Sequence, residues 1–207
     1  KHRHSQKMLA GYYYRKARRL IEDRKYKQAM NWLNKAIDIQ PDLEKAYFAR
    51  GGLHLRKDQR VKALKDFRRA YELYPTNSKY FRILINTAMS LANLSAREGN
   101  SEKAADFYTI IIEVDPRNAE ALLRRGGIYL KTGKYEKAVE DLKKSIEEKK
   151  ANRRYLRLLE VAYVGLAERQ FDEGKFRDAL DTYSKALKIN SKNIRALGGR
   201  AVVYYKL

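Results

Sequence analysis

The feature that most constrains this sequence is a pattern of small and bulky side chains recurring along its whole length. Ala29, Ala63, Ala104, Ala138 and Ala179 are each followed, four and seven residues on, by a bulky side chain and then usually by a small one. The sets are Leu33 and Ala36, Phe67 and Ala70, Tyr108 and Ile111, Leu142 and Ser145, Tyr183 and Ala186. Steps of four and three residues place all three on one face of an α-helix. A further small residue stands twelve positions before each alanine, at Ala17, Gly51, Ala92, Gly126 and Ala167, and Ala201 continues the series. Small side chains at both places let two antiparallel helices approach closely, so the pattern predicts helical hairpins.

The spacing of these hairpins alternates. Units starting at 10, 44, 85, 119, 160 and 194 are separated by 34, 41, 34, 41 and 34 residues, and the chain aligns to itself without gaps at a period of 75, as 3–77, 78–152 and 153–207. The seven additional residues are 78–84 and 153–159, matched in the first copy by 3–9. Seven residues make about two helical turns, so the buried face is kept while every second first helix is lengthened, to about 24 residues. Asn77 and Asn152 precede the long helices as expected N-caps. The lengthened tips, with Tyr80 and Tyr155, either pack on their neighbours or form a docking ridge.

These residues resemble the tetratricopeptide repeat, a helix-turn-helix unit of about 34 residues. Residues 119–152 carry its pattern as Leu122, Gly126, Tyr129, Gly133, Tyr135, Ala138, Leu142 and Ser145. Residues 44–77 carry it as Tyr47, Gly51, His54, Ala63, Phe67, Ala70 and Pro75, with Asp58 where the turn glycine would stand. The resemblance implies an all-α, right-handed superhelical solenoid, a single array over 1–207 with repeats at about 3–43, 44–77, 78–118, 119–152, 153–193 and a partial one at 194–207. Without an initiator Met, and ending inside an apolar-periodic stretch, the chain reads as part of a longer one.

Composition removes several function classes. There is no cysteine, so disulfide frameworks, thiolate catalysis and cysteine-ligated zinc are excluded. The three histidines, His2, His4 and His54, form no cluster with metal-ligand spacing, and His54 falls at a helix-core place. Neither Gly51-Gly52 nor Gly126-Gly127 follows a strand, so neither is a phosphate-binding loop. No catalytic constellation, cofactor or metal is expected, and the chain reads as a non-enzymatic interaction scaffold. No apolar run is long enough to span a bilayer. Most of the 16 tyrosines fall at repeat-core places.

The family resemblance also implies where a partner would bind. The first-helix places that line its concave groove hold Tyr14, Ile21, Phe48, Leu55, Met89, Leu123, Leu130, Val164, Phe171 and Tyr205, with Gly52 and Gly127 open between them. An apolar or amphipathic helix or extended segment fits such a lining. The polar clamp with which relatives grip acidic chaperone tails is not completed in any frame, the successive pairs being Tyr14/Arg18, Phe48/Gly52, Met89/Asn93, Leu123/Gly127 and Val164/Glu168. No chaperone C-terminal tail is therefore expected.

Charge adds a second surface. The net charge is +21, and residues 3–77 hold 19 basic against 8 acidic side chains. Arg15, Lys16, Arg18 and Arg19 form one cluster and Lys62, Lys65, Arg68 and Arg69 another, an expected contact for an acidic protein surface such as tubulin. Segments 24–29 and 48–52 resemble the repeat-rich proteins of cilia and flagella, which implies a cytoplasmic, ciliary or cytoskeletal setting. An RNA-binding helical repeat is the alternative, supported by charge.

Overall fold

The structure, a computed structural model, describes residues 2–149 and 153–207, with side chains from His4 onward. Every element among the described residues is a helix, in keeping with the all-α expectation. The order is α1 (His2–Glu22), α2 (Tyr26–Ile39), α3 (Glu44–Arg56), α4 (Arg60–Leu73), α5 (Ser78–Arg97), α6 (Ser101–Val114), α7 (Ala119–Lys131), α8 (Tyr135–Glu148), α9 (Arg153–Asp172), α10 (Phe176–Ile189) and α11 (Ile194–Lys206). The even-numbered helices all have 14 residues. The odd-numbered ones alternate between two lengths: α1, α5 and α9 have 21, 20 and 20 residues, whereas α3, α7 and α11 have 13 each.

The seven-residue insertion is thus helix, unbroken, as its spacing predicts. The long helices stop at 20 residues rather than the expected 24, because the turn that follows claims the remainder. Asn77 caps α5, its side-chain oxygen accepting from the amides of Lys79 and Tyr80 at 3.0 and 3.2 Å. Asn152 lies outside the described residues. The tips are packed: Tyr80, Leu84, Tyr155 and Leu159 are all buried.

The chain divides into two compact units, Lys1–Leu91 and Ala92–Leu207, with the boundary inside α5. In each, the predicted face is the core. All five repeat alanines are fully buried, and so are Ala17, Ala92 and Ala167 at the facing place. The bulky residues between them, Leu33, Phe67, Tyr108, Leu142 and Tyr183, are buried with them. A Cβ added to Gly51 would come within 2.7 Å of the Phe67 ring, and one added to Gly126 within 2.9 Å of Leu142. Those two glycines are therefore set by helix approach, which offsets the roughly 1 kcal/mol that glycine costs inside a helix.

Helices α1, α3, α5, α7 and α9 end in the same way. The last amide-to-carbonyl bonds run from Arg24 to Ile21 and Lys25 to Leu20, from Asp58 to Leu55 and Gln59 to His54, and from Gly133 to Leu130 and Lys134 to Tyr129. The Gly99 and Gly174 turns repeat the scheme. This paired closure needs one residue in the left-handed region. Glycine fills it at Gly99, Gly133 and Gly174, but unit 1 uses Arg24 and Asp58 at φ 60° and 53°. Aspartate tolerates that conformation better than arginine does. Arg24→Gly should raise Tm by about 2 °C, and Gly133→Ala should lower it by about 3 °C, in thermal melts followed by circular dichroism.

Candidate functional site

In unit 1 the helical periodicity of α1 and α3 brings one face of each onto a shared groove. Tyr14, Arg18 and Ile21 come from α1, and Lys45, Phe48, Gly52 and Arg56 from α3. Lys79 and Tyr80, from the lengthened start of α5, complete it around an open volume of about 420 Å³. Phe48 is the middle of its floor, with the Tyr80 ring stacked on it at 4.6 Å and Phe67 tilted against it at 5.3 Å. Burial pushes the Tyr80 phenol up to about 12, with the nearby Glu44 carboxylate adding to the rise. Arg18 is likewise raised, first by its hydrogen bond with Tyr14. The Arg56 guanidinium lies over Tyr26 at 4.9 Å, and the Lys79 ammonium over Phe48 at 5.3 Å.

Four of the sequence-predicted groove residues, Tyr14, Ile21, Phe48 and Gly52, are therefore gathered in one cavity. A Cβ at Gly52 or at Gly127 would meet nothing within 4 Å, so these second glycines border open space, unlike their neighbours Gly51 and Gly126. Met89 is half-buried and Leu55 is 40% exposed. In unit 2 two expectations need correction. Leu123 is only 4% exposed because it packs in one core cluster with Tyr155 and Leu159, the added turns of α9. Val164, 2% exposed, belongs to the core formed with Tyr183, Ala196 and Val203. Leu130 and Phe171 are half-buried against those two clusters, Phe171 beside Phe176 at 5.3 Å, and Tyr205 is 88% exposed.

The basic residues do not share one face. Lys16 sits 3.9 Å over the Trp32 ring, with Lys35 at 4.7 Å from the same ring. Arg18 instead lines the groove, while Arg15 and Arg19 are exposed. The cluster expected from adjacency along α1 is therefore split by the helical turn. On α4, Lys62 and Lys65 are exposed as expected, but Arg68 and Arg69 both reach Glu72, at 3.1 and 3.5 Å.

Sequence reading missed a buried ion pair that occurs twice. Arg50 donates from Nε and Nη2 to both carboxylate oxygens of Asp66 at 2.9 and 2.8 Å, and from Nη1 to Asn34 at 2.9 Å. Seventy-five residues on, Arg125 donates to Asp141 at 2.7 and 2.8 Å, and to Thr109 at 2.9 Å. Each clasp joins three helices, α2–α3–α4 in unit 1 and α6–α7–α8 in unit 2. The bidentate carboxylate raises both guanidinium pKa values above the ordinary arginine value, despite partial burial. The visible signal was an aspartate on the buried face of α4 and α8, beside a repeat alanine's partner, with an arginine sixteen residues earlier in both copies.

His54 does not turn this pair into acid–base machinery. Its Nδ1 meets Gln59 Oε1 at 2.9 Å and its Nε2 stands 3.7 Å from Asp66, whose two oxygens already accept from Arg50. Among the described residues no group of His, Asp and Glu is arranged to hold a metal ion. Truncating one partner of such a pair strands the other charge in the interior. Arg125→Ala should cost about 3 kcal/mol in urea denaturation, whereas Arg125→Met with Asp141→Leu should restore most of that loss.

Comparison with known proteins fits this geometry. The family models described as tetratricopeptide repeat match residues 10–43, 44–77 and 89–153, and a fourth, described as TPR repeat, matches 167–207. Human tetratricopeptide repeat protein 6 is 27% identical over 213 residues, covering 86% of this chain and 38% of that protein. DnaJ homolog subfamily C member 3 of Rattus norvegicus is 26% identical over 176 residues, covering 81% and 35%. The chain thus spans less than two fifths of the length of these curated relatives. The crystal structure of the P58(IPK) TPR domain matches 95% of this chain and 55% of its own, at 23% identity and a TM-score of 0.45. Proteins of this kind act generally as non-enzymatic protein–protein interaction scaffolds. With the repeat pattern, the helical hairpins and the family matches in agreement, this chain belongs to the tetratricopeptide repeat family.

Proposed function

We propose that the chain is a non-enzymatic scaffold, a single array of repeats over residues 1–207, which holds an apolar or amphipathic segment of a partner protein in its first-helix groove. The observation that carries this reading is the unit 1 groove, where Tyr14, Ile21 and Phe48 form an apolar floor beside the open Gly52. Burying a partner's side chain on such a floor is favourable by roughly 25 cal/mol per Å² before the cost of ordering the partner. Glycine at position 52 weakens α3 without being required by packing, so an approach of the partner's backbone gives it a purpose.

The two neighbouring glycines provide the test. Gly52→Leu places a side chain in open space, and it should keep the helicity and Tm of the parent while abolishing capture of partner segments in peptide-array and pull-down binding. Gly51→Leu, directed at Phe67, should lower Tm sharply. If Gly52→Leu stays folded and retains every partner, the ligand surface lies elsewhere.

The exposed basic residues Lys62 and Lys65 extend the proposal to a contact with an acidic protein surface in a larger assembly. Tubulin tails in a ciliary or axonemal setting are the candidate, supported by the charge excess and by the resemblance of segments 24–29 and 48–52. RNA binding is the rival reading, and charge is its support. Salt sensitivity alone does not separate the two. At equal ionic strength, binding should be tighter to intact than to tail-cleaved microtubules, and Lys62→Glu with Lys65→Glu should remove the difference. Tighter binding to mixed-sequence RNA, with no effect of tail removal, would favour the rival.

A further inference from the structure

Unit 2 contains a packing deficit that its sister copies fill. Helices α2, α6 and α10 begin at Tyr26, Ser101 and Phe176, places 75 residues apart, and four residues further on stand Met30, Ala105 and Leu180. The first and third copies thus open this helix with an aromatic and an aliphatic side chain, and the second with two small ones. Tyr26 and Met30 pack against the core cluster that contains Leu53, and Phe176 and Leu180 against the one that contains Val203. The matching residue of the second copy is Ile128. Leu53 is 2% exposed and Val203 is fully buried, whereas Ile128 is only half-buried. The preceding first helix does not make up the loss, because Ile21 and Phe171 are matched there by an exposed Ala96.

An open volume of about 400 Å³ lies at this place, with Ser101 and Ala105 of α6 on one side and Ile128 and Tyr129 of α7 on the other. Its rim is mixed in sign. Glu102 and Asp106 border it on α6, and Lys134 and Lys137 border it at the start of α8, Lys137 standing 5.8 Å over the Tyr129 ring. The hairpin does not require the small residues: α6 has the same 14 residues as α2 and α10, which form the same crossing with large ones. The second copy therefore forgoes the burial and the dispersion contacts that a ring and an aliphatic chain supply in the other two.

We propose that this pocket between α6, α7 and α8 is a docking site for a partner protein, which inserts an aromatic side chain with an aliphatic one beside it where Tyr26 with Met30 and Phe176 with Leu180 fill the sister copies. The site is independent of the unit 1 groove, with which it shares no lining residue. The sister copies state the chemistry of the occupant, because their own side chains show what the space accepts against Leu53 and Val203. An aromatic anchor buried in a small pocket is a common centre of protein recognition. A nucleic acid fits poorly, since Glu102 and Asp106 at the rim repel its phosphates. A second copy of this chain is also a poor occupant, because at a net charge of +21 two copies repel each other.

The test uses the full chain and a fluorescent 14-residue helical peptide of Ala, Glu and Lys that carries Phe and Leu four residues apart; its control has Ser at both places. In anisotropy titrations the Phe–Leu peptide should bind about tenfold tighter than the control, and it should shift the methyl NMR signals of Ile128. Ser101→Tyr with Ala105→Met, the residues of the first copy, should fill the pocket, raising Tm by about 3 °C and removing the preference for the Phe–Leu peptide. Ser101→Phe with Ala105→Leu, the residues of the third copy, should do the same, and Gly52→Leu should leave the preference unchanged. A lower Tm in both filled variants would mean that the space is not the one the sister copies fill, and would overturn the docking site. Equal binding of the two peptides would also overturn it, a raised Tm in the filled variants then marking a packing gap alone. Loss of the preference in Gly52→Leu, with the filled variants unaffected, would move the ligand to the unit 1 groove. Self-association in analytical ultracentrifugation that the filled variants abolish would replace the partner protein with a second copy.

Discussion

Everything in this fold depends on how closely the two helices of a hairpin approach at a pair of small side chains. Ala29 against Ala17, and Ala138 against Gly126, leave room for a bulky neighbour such as Leu33 or Leu142 to fill the space beside the crossing. At Gly126 even one methyl group would come within 2.9 Å of Leu142. A crossing this tight fixes the rotation of each helix about its axis. That rotation in turn decides which side chains of the first helix remain for another molecule.

The clasps show how the chain adds specificity to an otherwise apolar crossing. Arg50–Asp66 and Arg125–Asp141 are charge-assisted, bidentate and saturated by a third polar group on a neighbouring helix. Buried ion pairs of this kind contribute little net stability compared with a well-packed apolar substitute. They penalise any arrangement that separates the partners, so the clasps tie α3 and α7 each to both flanking second helices in one register. The repetition of the clasp at the 75-residue period shows that the longer unit, and not the single hairpin, is what the chain repeats.

The lengthened helices have a related effect on the groove. In unit 1 the added turns of α5 bring Tyr80 onto Phe48 and still leave an open floor with Tyr14 and Ile21. In unit 2 the added turns of α9 bring Tyr155 and Leu159 into one cluster with Leu123, and the smaller leucine is buried. Equivalent places thus differ in availability: Phe48 is half-buried, whereas Leu123 is 4% exposed. The difference in rim charge, Arg18 and Lys45 against Asn93 and Glu120, follows the same division between the copies.

Much was legible in the sequence because a repeat presents the same physical problem several times. Helix positions, the core alanines, the lengthening by two turns and the role of Asn77 as a cap all followed from local periodicity, where each side chain's face is set by its distance along the helix. The groove was legible in part: Tyr14, Ile21, Phe48 and Gly52 come together as spacing implies, yet Leu123 and Val164 do not. Their burial depends on which side chain of another helix arrives above them, and no spacing within their own helix encodes that. The clasps escaped notice for a similar reason, since an arginine and an aspartate sixteen residues apart are ordinary surface residues until the turn brings them face to face. The splitting of Lys16 from Arg18 completes the pattern, because two positions along a helix are about 200° around it. Sequence alone determined what each helix is and which face it buries; only the tertiary structure decided which exposed side chains are covered, paired or left open, because those outcomes belong to contacts between helices.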